Sequence, residues 1–360
     1  MIALGSMLQK NIHRYYSLLF LLFLLSTPAC KKESTVQVDF KTFEVGQSIT
    51  LRGIDCFSDS VWYTCGGKKA DFGLLFRSVD AGATWTQIFK VAGEGRTIFD
   101  VQFFSAEEGW AVGDSLMLLK TGDGGASWKR FWFGNKVPDR EDQRISFRQI
   151  FHESHLKENN RYIVGGDNFD TGVWYGTADG GNLWRFRFFE NEIRGIHFFD
   201  KVSGYMAAYG GLIETTNYGK SFHYEDLTNE YFVSVEFLLK SDIAGEVTQN
   251  IGVAVSYNGA VYRTTDKGKS WERVFNTAAV FGANRQFNRV RFAKTDNISD
   301  DLGYIIGNNG LVMRTTDAGE NWDRIEGLPD LNFTDIDFTL QGDALITAEK
   351  GKIVKISRPD

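Results

Sequence analysis

The chain has 360 residues, 14% of them aromatic, with 38 glycines and only 4 prolines, which is enough for one large β-domain with a sizeable core. Its net charge is −6, and the two signs are interspersed along the sequence. That pattern excludes the basic stripe that a nucleic-acid footprint needs.

Residues 1–30 read as a targeting segment. Lys10, His13 and Arg14 form a basic start, and residues 17–25 form an apolar run too short to span a bilayer. Ala29 before Cys30 resembles a bacterial lipobox, although Thr27 and Pro28 stand where leucine and a small residue are usual. The expectation is a lipid anchor on Cys30, a polar tether over residues 31–37, and a single domain over residues 38–360. The expected location is the bacterial cell envelope, with secretion or a periplasmic location as the alternative.

From Arg52 onward an octapeptide recurs with the form S/T-x-D-x-G-x-S/T-W. Its copies carry Asp80 and Trp85, Asp123 and Trp128, Asp179 and Trp184, Asn217 and Phe222, Asp266 and Trp271, and Asp317 and Trp322. The third copy has Leu183 in the hydroxyl slot and the last has Asn321 there. The aspartate can accept backbone N–H bonds and fix a turn. The glycine supplies a positive φ, and the tryptophan buries a large ring. Strand-like runs flank every copy, so each reads as a hairpin clasp. A catalytic group is needed once, whereas a clasp is needed in every repeat. On this reading Trp271→Ala should cost ~3–5 kcal/mol.

Each repeat holds four strand-like runs. In the second they are residues 98–104, 109–113, 116–120 and 128–132. Four antiparallel strands make one propeller blade. Three final runs, 333–338, 344–348 and 352–356, lack a fourth strand, and the run near residues 36–43 is the natural partner. The expected fold is therefore all-β: a seven-bladed β-propeller of four-stranded antiparallel blades, its ring closed by the N-terminal strand.

The octapeptide resembles the Asp-box, or BNR, repeat. Gly109 to Gly113 (G-W-A-V-G) ahead of T-x-D-G-G-x-S-W is similar to the photosystem II stability/assembly factor family. The resemblance implies a non-enzymatic propeller that binds a protein partner or assists assembly of an envelope complex. Sialidases share the repeat but also carry an early R-I-P motif, which does not occur here. A glycoside hydrolase or a carbohydrate-binding propeller is the alternative.

Propellers gather their second-to-third-strand links at one mouth of the channel. That places Asp114, Asp167, Asp170, Tyr209, Tyr257, Asn258, Asn308, Asn309 and Glu349 there as candidate binding residues. A hydrolase would need two carboxylates across a cleft, drawn from Asp114, Asp167, Asp170 and Glu349. Arg140, Arg144, Arg148, Arg185, Arg187 and Arg194 cluster in sequence among aromatics and suit a protein partner. Alternation puts Arg185 and Arg187 on one side of their strand, with Phe186 and Phe188 on the other. Cys56 and Cys65 fit either a cross-strand disulfide or two small core residues. His152 and His155 lack a third ligand. No metal or cofactor is expected. The expected partners are an envelope protein or a polysaccharide, with the membrane reached through Cys30, no nucleic acid, and a monomeric chain.

Overall fold

The computed structural model describes residues 34–359 except 70, 94–95, 132, 134–144, 153–158, 168, 239, 242–246, 249, 282, 284 and 296–297. Cys30, Arg140, Arg144 and His155 lie outside the described residues.

Strand character follows burial. Gly109–Gly113 and Gly252–Ser256 are buried at every position, because each second strand is covered on both faces. Outer strands alternate. Arg185–Phe189 exposes Arg185 and Arg187 and turns Phe186 and Phe188 inward, as the period of two requires. Three four-stranded blades follow one another. The first is Thr50–Asp55, Trp62–Lys68, Phe72–Ser78 and Thr86–Ala92. The second is Ile98–Phe103, Gly109–Gly113, Met117–Thr121 and Lys129–Phe131. The third is Ser146–Phe151, Arg161–Asp167, Thr171–Thr177 and Arg185–Phe189. At the other end of the chain, Phe333–Phe338, Ala344–Ala348 and Lys352–Ile356 form a blade whose fourth strand is Phe40–Glu44, antiparallel to Lys352–Ile356.

The β-propeller is all-β as expected, but seven separate four-stranded blades are not what forms. Among the described residues five blades are discrete: the four above and a five-stranded one made by Phe287–Thr295, Ile298–Gly307, Val312–Thr315, Asp323–Ile325 and Thr35–Val36. The stretch between them is one six-stranded sheet, from Ile193–Phe198 through Gly204–Thr215, His223–Phe237, Gly252–Ser256 and Ala260–Thr264 to Glu272–Asn276. The reason is the 15-residue strand His223–Phe237, which never breaks. Its first part pairs with Gly204–Thr215, and from Phe232 onward it pairs with Gly252–Ser256. Thr35–Val36, expected in the tether, instead runs parallel to Asp323–Ile325.

The core lies between sheets. Trp110, Val112 and Leu118 of the second blade meet Phe147, Ile163 and Tyr175 of the third. Side chains of the inner strands also bond the next inner strand's backbone. The amides of Ile54, Phe103, Ile150 and Ile196 donate to Asp335, Asp55, Asp100 and Gln149 at 2.8–3.1 Å.

Cys56 and Cys65 are both free and buried. Register sets Cys65 against Gly53, so the two do not face each other, and they join different core clusters.

Candidate binding mouth of the channel

Each inner strand is interrupted by an unpaired residue, near its start in six cases and within the long strand His223–Phe237 in the seventh. The pairing register skips Arg52, Phe99, Arg148, Arg194, Val233, Asn288 and Thr334. A bulge re-aims the extra side chain. All seven side chains line one cavity of about 340 Å³, together with Thr50, Tyr257, Arg289, Asn308, Asn332 and Glu349. One backbone irregularity, repeated around the ring, builds the wall of the mouth.

The mouth is rich in arginine. Arg52 and Arg148 both lie over the Phe99 ring, their guanidinium carbons 5.0 and 4.3 Å from its centroid. Burial, then the neighbouring Arg148, lowers the Arg52 pKa. Burial likewise lowers that of Arg148, against the pull of Glu192. The buried Glu192 bridges two of these cations. Its Oε1 accepts from Arg148 Nε and its Oε2 from Arg194 Nη2, both at 3.0 Å. Arg289 Nε donates to Asp335 Oδ1 at 2.7 Å. Glu192 and Asp335 pair Arg148, Arg194 and Arg289, and Glu349 also lines the cavity, so among the described residues the four arginines leave a small positive excess centred on Arg52, which favours an anionic occupant.

The opposite end of the inner strands is a smaller cavity of about 130 Å³ lined by Asp55, Asp100 and Asp337 with Arg291 and Lys294. Burial, reinforced by Asp335, pushes Asp100 up to about 7. Burial also raises Asp55 and Asp337. Each of these carboxylates accepts a backbone N–H from the neighbouring inner strand, which gives them a structural task.

The residues singled out in sequence divide. Tyr257, Asn308, Glu349 and Arg148 reach the mouth. Asn308 Oδ1 accepts from Asn288, and Glu349 Oε2 accepts from Asn332 at 3.2 Å. Tyr209 sits at the rim, its hydroxyl bonded to that of Tyr231. Asn309 is exposed at φ 56°, with its amide bonded to Asn332. Asn258 is half-buried in the turn after Tyr257. Asp114 spends both oxygens on structure: Oδ2 accepts from the Thr97 amide at 3.0 Å and Oδ1 from the Ser146 hydroxyl at 2.8 Å. Asp167 and Asp170 belong to a tight turn, Asp170 N donating to Asp167 O. Of the four carboxylates proposed for hydrolysis, only Glu349 lines the mouth cavity. The arginine cluster of the third blade separates, because Arg148 is on the inner strand and Arg185 and Arg187 are exposed on the outermost one. His152 Nδ1 is 2.7 Å from the Asn160 carbonyl oxygen.

Arg52, Arg289, Asn288, Phe99 and Glu192 were not among the expected site residues. The signal for most of them was present: in every sheet but the one holding Val233, the bulged residue stands directly after the first apolar residue of its inner strand. Aligning the inner strands on that residue stacks Arg52, Phe99, Arg148, Arg194, Val233, Asn288 and Thr334 in one column.

The repeated octapeptides lie on the turns between third and fourth strands and act as clasps. In the second copy Asp123 Oδ1 accepts from Thr121 Oγ1 and the Ser127 amide, while Oδ2 accepts from Ser127 Oγ at 2.6 Å. The Gly125 amide donates to Thr121 Oγ1 at 2.9 Å. The copies at Asp80 and Asp266 repeat this pattern. Asn321 Nδ2 replaces the hydroxyl on Asp317, whereas Leu183 keeps only its backbone bond to Asp179. In the most altered copy Asn217 Nδ2 donates to Ser221 Oγ, and Phe222 packs edge-on against Trp174.

A family model described as Photosynthesis system II assembly factor YCF48 matches residues 32–149 and 236–334, more than half of the chain. The chain is 20% identical to photosystem II stability/assembly factor HCF136, chloroplastic, of Arabidopsis thaliana, across 67% of this chain and 70% of that protein. A solved structure described as YCF48 bound to D1 peptide has a TM-score of 0.67 and 17% identity, covering 91% of this chain and 100% of that one. YCF48 from Cyanidioschyzon merolae has a TM-score of 0.63 and 16% identity, covering 88% and 98%. At such identities the structural likeness speaks to the fold alone.

Proposed function

Because the chain belongs to the photosynthesis system II assembly factor YCF48 family, we propose that it is a non-enzymatic propeller that binds a protein partner and assists its assembly. The partner is engaged through an anionic segment held at the arginine-lined mouth. The observation that carries this reading is the convergence of Arg52, Arg148, Arg194 and Arg289 on one cavity, where Glu192 and Asp335 hold three of them in place and Arg52 has no ion pair among the described residues. A structural relative described as bound to a peptide is consistent with a peptide-sized occupant. The partner is a protein of the envelope, and the chain reaches it as a lipoprotein anchored through Cys30.

The test is co-purification of tagged full-length protein from detergent-solubilised envelopes, comparing wild type with Arg52→Gln/Arg194→Gln. Wild type should bring a stoichiometric protein that the double variant loses by at least tenfold, while the two proteins melt at similar temperatures. Retention of the same partner by the double variant would remove the mouth from the function. Cys30→Ser should release the protein from membranes, and continued membrane association would refute the anchor.

A further inference from the structure

Beside the arginines stands an aromatic rim that the mouth's charge does not explain. Phe169 is 44% exposed and Tyr257 37% exposed, which is unusual for rings so close to a buried ion network. Phe169 also has φ 75°, a conformation that bulky residues rarely adopt and that surrounding structure must enforce. The enforcing group is Glu192. The Phe169 amide donates to its Oε2 at 3.3 Å, and the Glu192 amide donates back to the Phe169 carbonyl at 3.2 Å. The same carboxylate holds Arg148 and Arg194 at 3.0 Å, and it is only 1% exposed. One buried side chain therefore fixes two cations and an exposed ring in a single arrangement.

The rim is continuous. Phe169 lies 5.9 Å from the Tyr209 ring and 5.8 Å from Tyr231, and the Arg194 guanidinium sits 5.5 Å from the Phe169 centroid. The space among these rings is about 10 Å³, too small to admit a side chain. An incoming planar group must lie across the rim rather than insert into it. Resting on the mouth reading above, we propose that Phe169 and Tyr257 select a partner segment that carries an aromatic side chain next to its acidic group. The arginines take the carboxylate, the rim takes the ring, and Glu192 is the positioning residue that sets the distance between them. Charge complementarity orients the segment, and the exposed rings supply discrimination among anionic segments.

The probes are three fluorescein-labelled octapeptides on a Gly-Ser background: one with Phe-Glu-Glu, one with Ala-Glu-Glu and one with Phe-Gln-Gln. Anisotropy titrations use the full chain in detergent. Wild type should bind Phe-Glu-Glu roughly three- to tenfold more tightly than Ala-Glu-Glu. Phe169→Asn, a residue that tolerates positive φ, should abolish that ratio and leave Ala-Glu-Glu unchanged. Should that variant unfold, Tyr257→Ala must reduce the same ratio instead. Equal binding of the two acidic peptides by wild type would overturn the rim while leaving the mouth intact. Binding of Phe-Gln-Gln as tight as Phe-Glu-Glu, or no binding of any peptide, would overturn the anionic mouth and this inference with it.

Discussion

A carboxylate in the octapeptide works because its two oxygens have separate tasks, one closing the turn through an amide and one clamping a side-chain hydroxyl. The hydroxyl and amide of Ser127 hold Asp123 down at about 2, so this clasp is complete above the ordinary carboxylate range near pH 4 and is lost only as pH falls towards 2. An NMR titration of the Asp123 carboxyl should show that midpoint, and a value near 4 would refute the clamp. Leu183→Ser restores the missing hydroxyl at Asp179 and should raise Tm by about 1–2 °C. The tryptophans differ more than their repetition in sequence suggests. Trp322 is 7% exposed and donates to the Gly319 carbonyl at 3.1 Å, whereas Trp271 is half-buried and its indole N–H has no partner among the described residues. Denaturant melts should give Trp322→Ala a loss of ~3–5 kcal/mol and Trp271→Ala a smaller one, below the value its motif alone implied.

At the scale of strands, the bulge is the working part. In four of the seven sheets the carbonyl just before the bulge's first paired residue lies close against a second-strand glycine, Gly66, Gly113, Gly165 or Gly307, whereas Ala208, Ser256 and Ala348 hold that position in the others. A Cβ on Gly113 would lie 2.2 Å from the Thr97 carbonyl oxygen. Gly113→Ala should therefore cost about 1–3 kcal/mol in a chemical melt, and an unchanged midpoint would show that the bulge relaxes freely. The strands, their turns and the propeller class were legible, because the octapeptides and apolar runs mark them locally. The mouth was only half legible. Tyr257, Asn308 and Glu349 sit in turns that a repeat exposes, but Arg52 and Asn288 sit within inner strands, where alternation alone does not show that a bulge re-aims them. The blade count failed at one place for a similar reason. Nothing local in residues 223–237 announces that the strand continues past Tyr231 into a second set of partners. Hydrogen exchange should find the amides of Gly204–Thr215 and Gly252–Ser256 protected as one unit, since both depend on that shared strand.

Over the whole molecule the two ends of the channel differ, with four arginines at one and three raised carboxylates beside Arg291 and Lys294 at the other. Asp100 at about 7 carries the opposite sign to the clasps: its stabilising neutral form is fully present below the ordinary carboxylate range and is lost as pH rises through 7. Tm should therefore decline between pH 5 and pH 8. Asp100→Asn should flatten that slope, and parallel profiles for the two proteins would exclude the assignment. Binding at the arginine end should weaken as salt rises, because the Debye length shortens to about 8 Å at physiological ionic strength.

The bond from the Ile54 amide to Asp335 joins positions 281 apart, and the Cys56 amide reaches Asp337 over the same separation. During synthesis the first blade therefore waits, one inner edge unsatisfied, until almost the last strand has emerged. Closure is a late, slow kinetic event, governed by loop entropy rather than by the local speed of hairpins. For that interval the growing chain is an open arc whose free edges invite a neighbour's strand, so its exposure to misassembly is set by translation time more than by final stability.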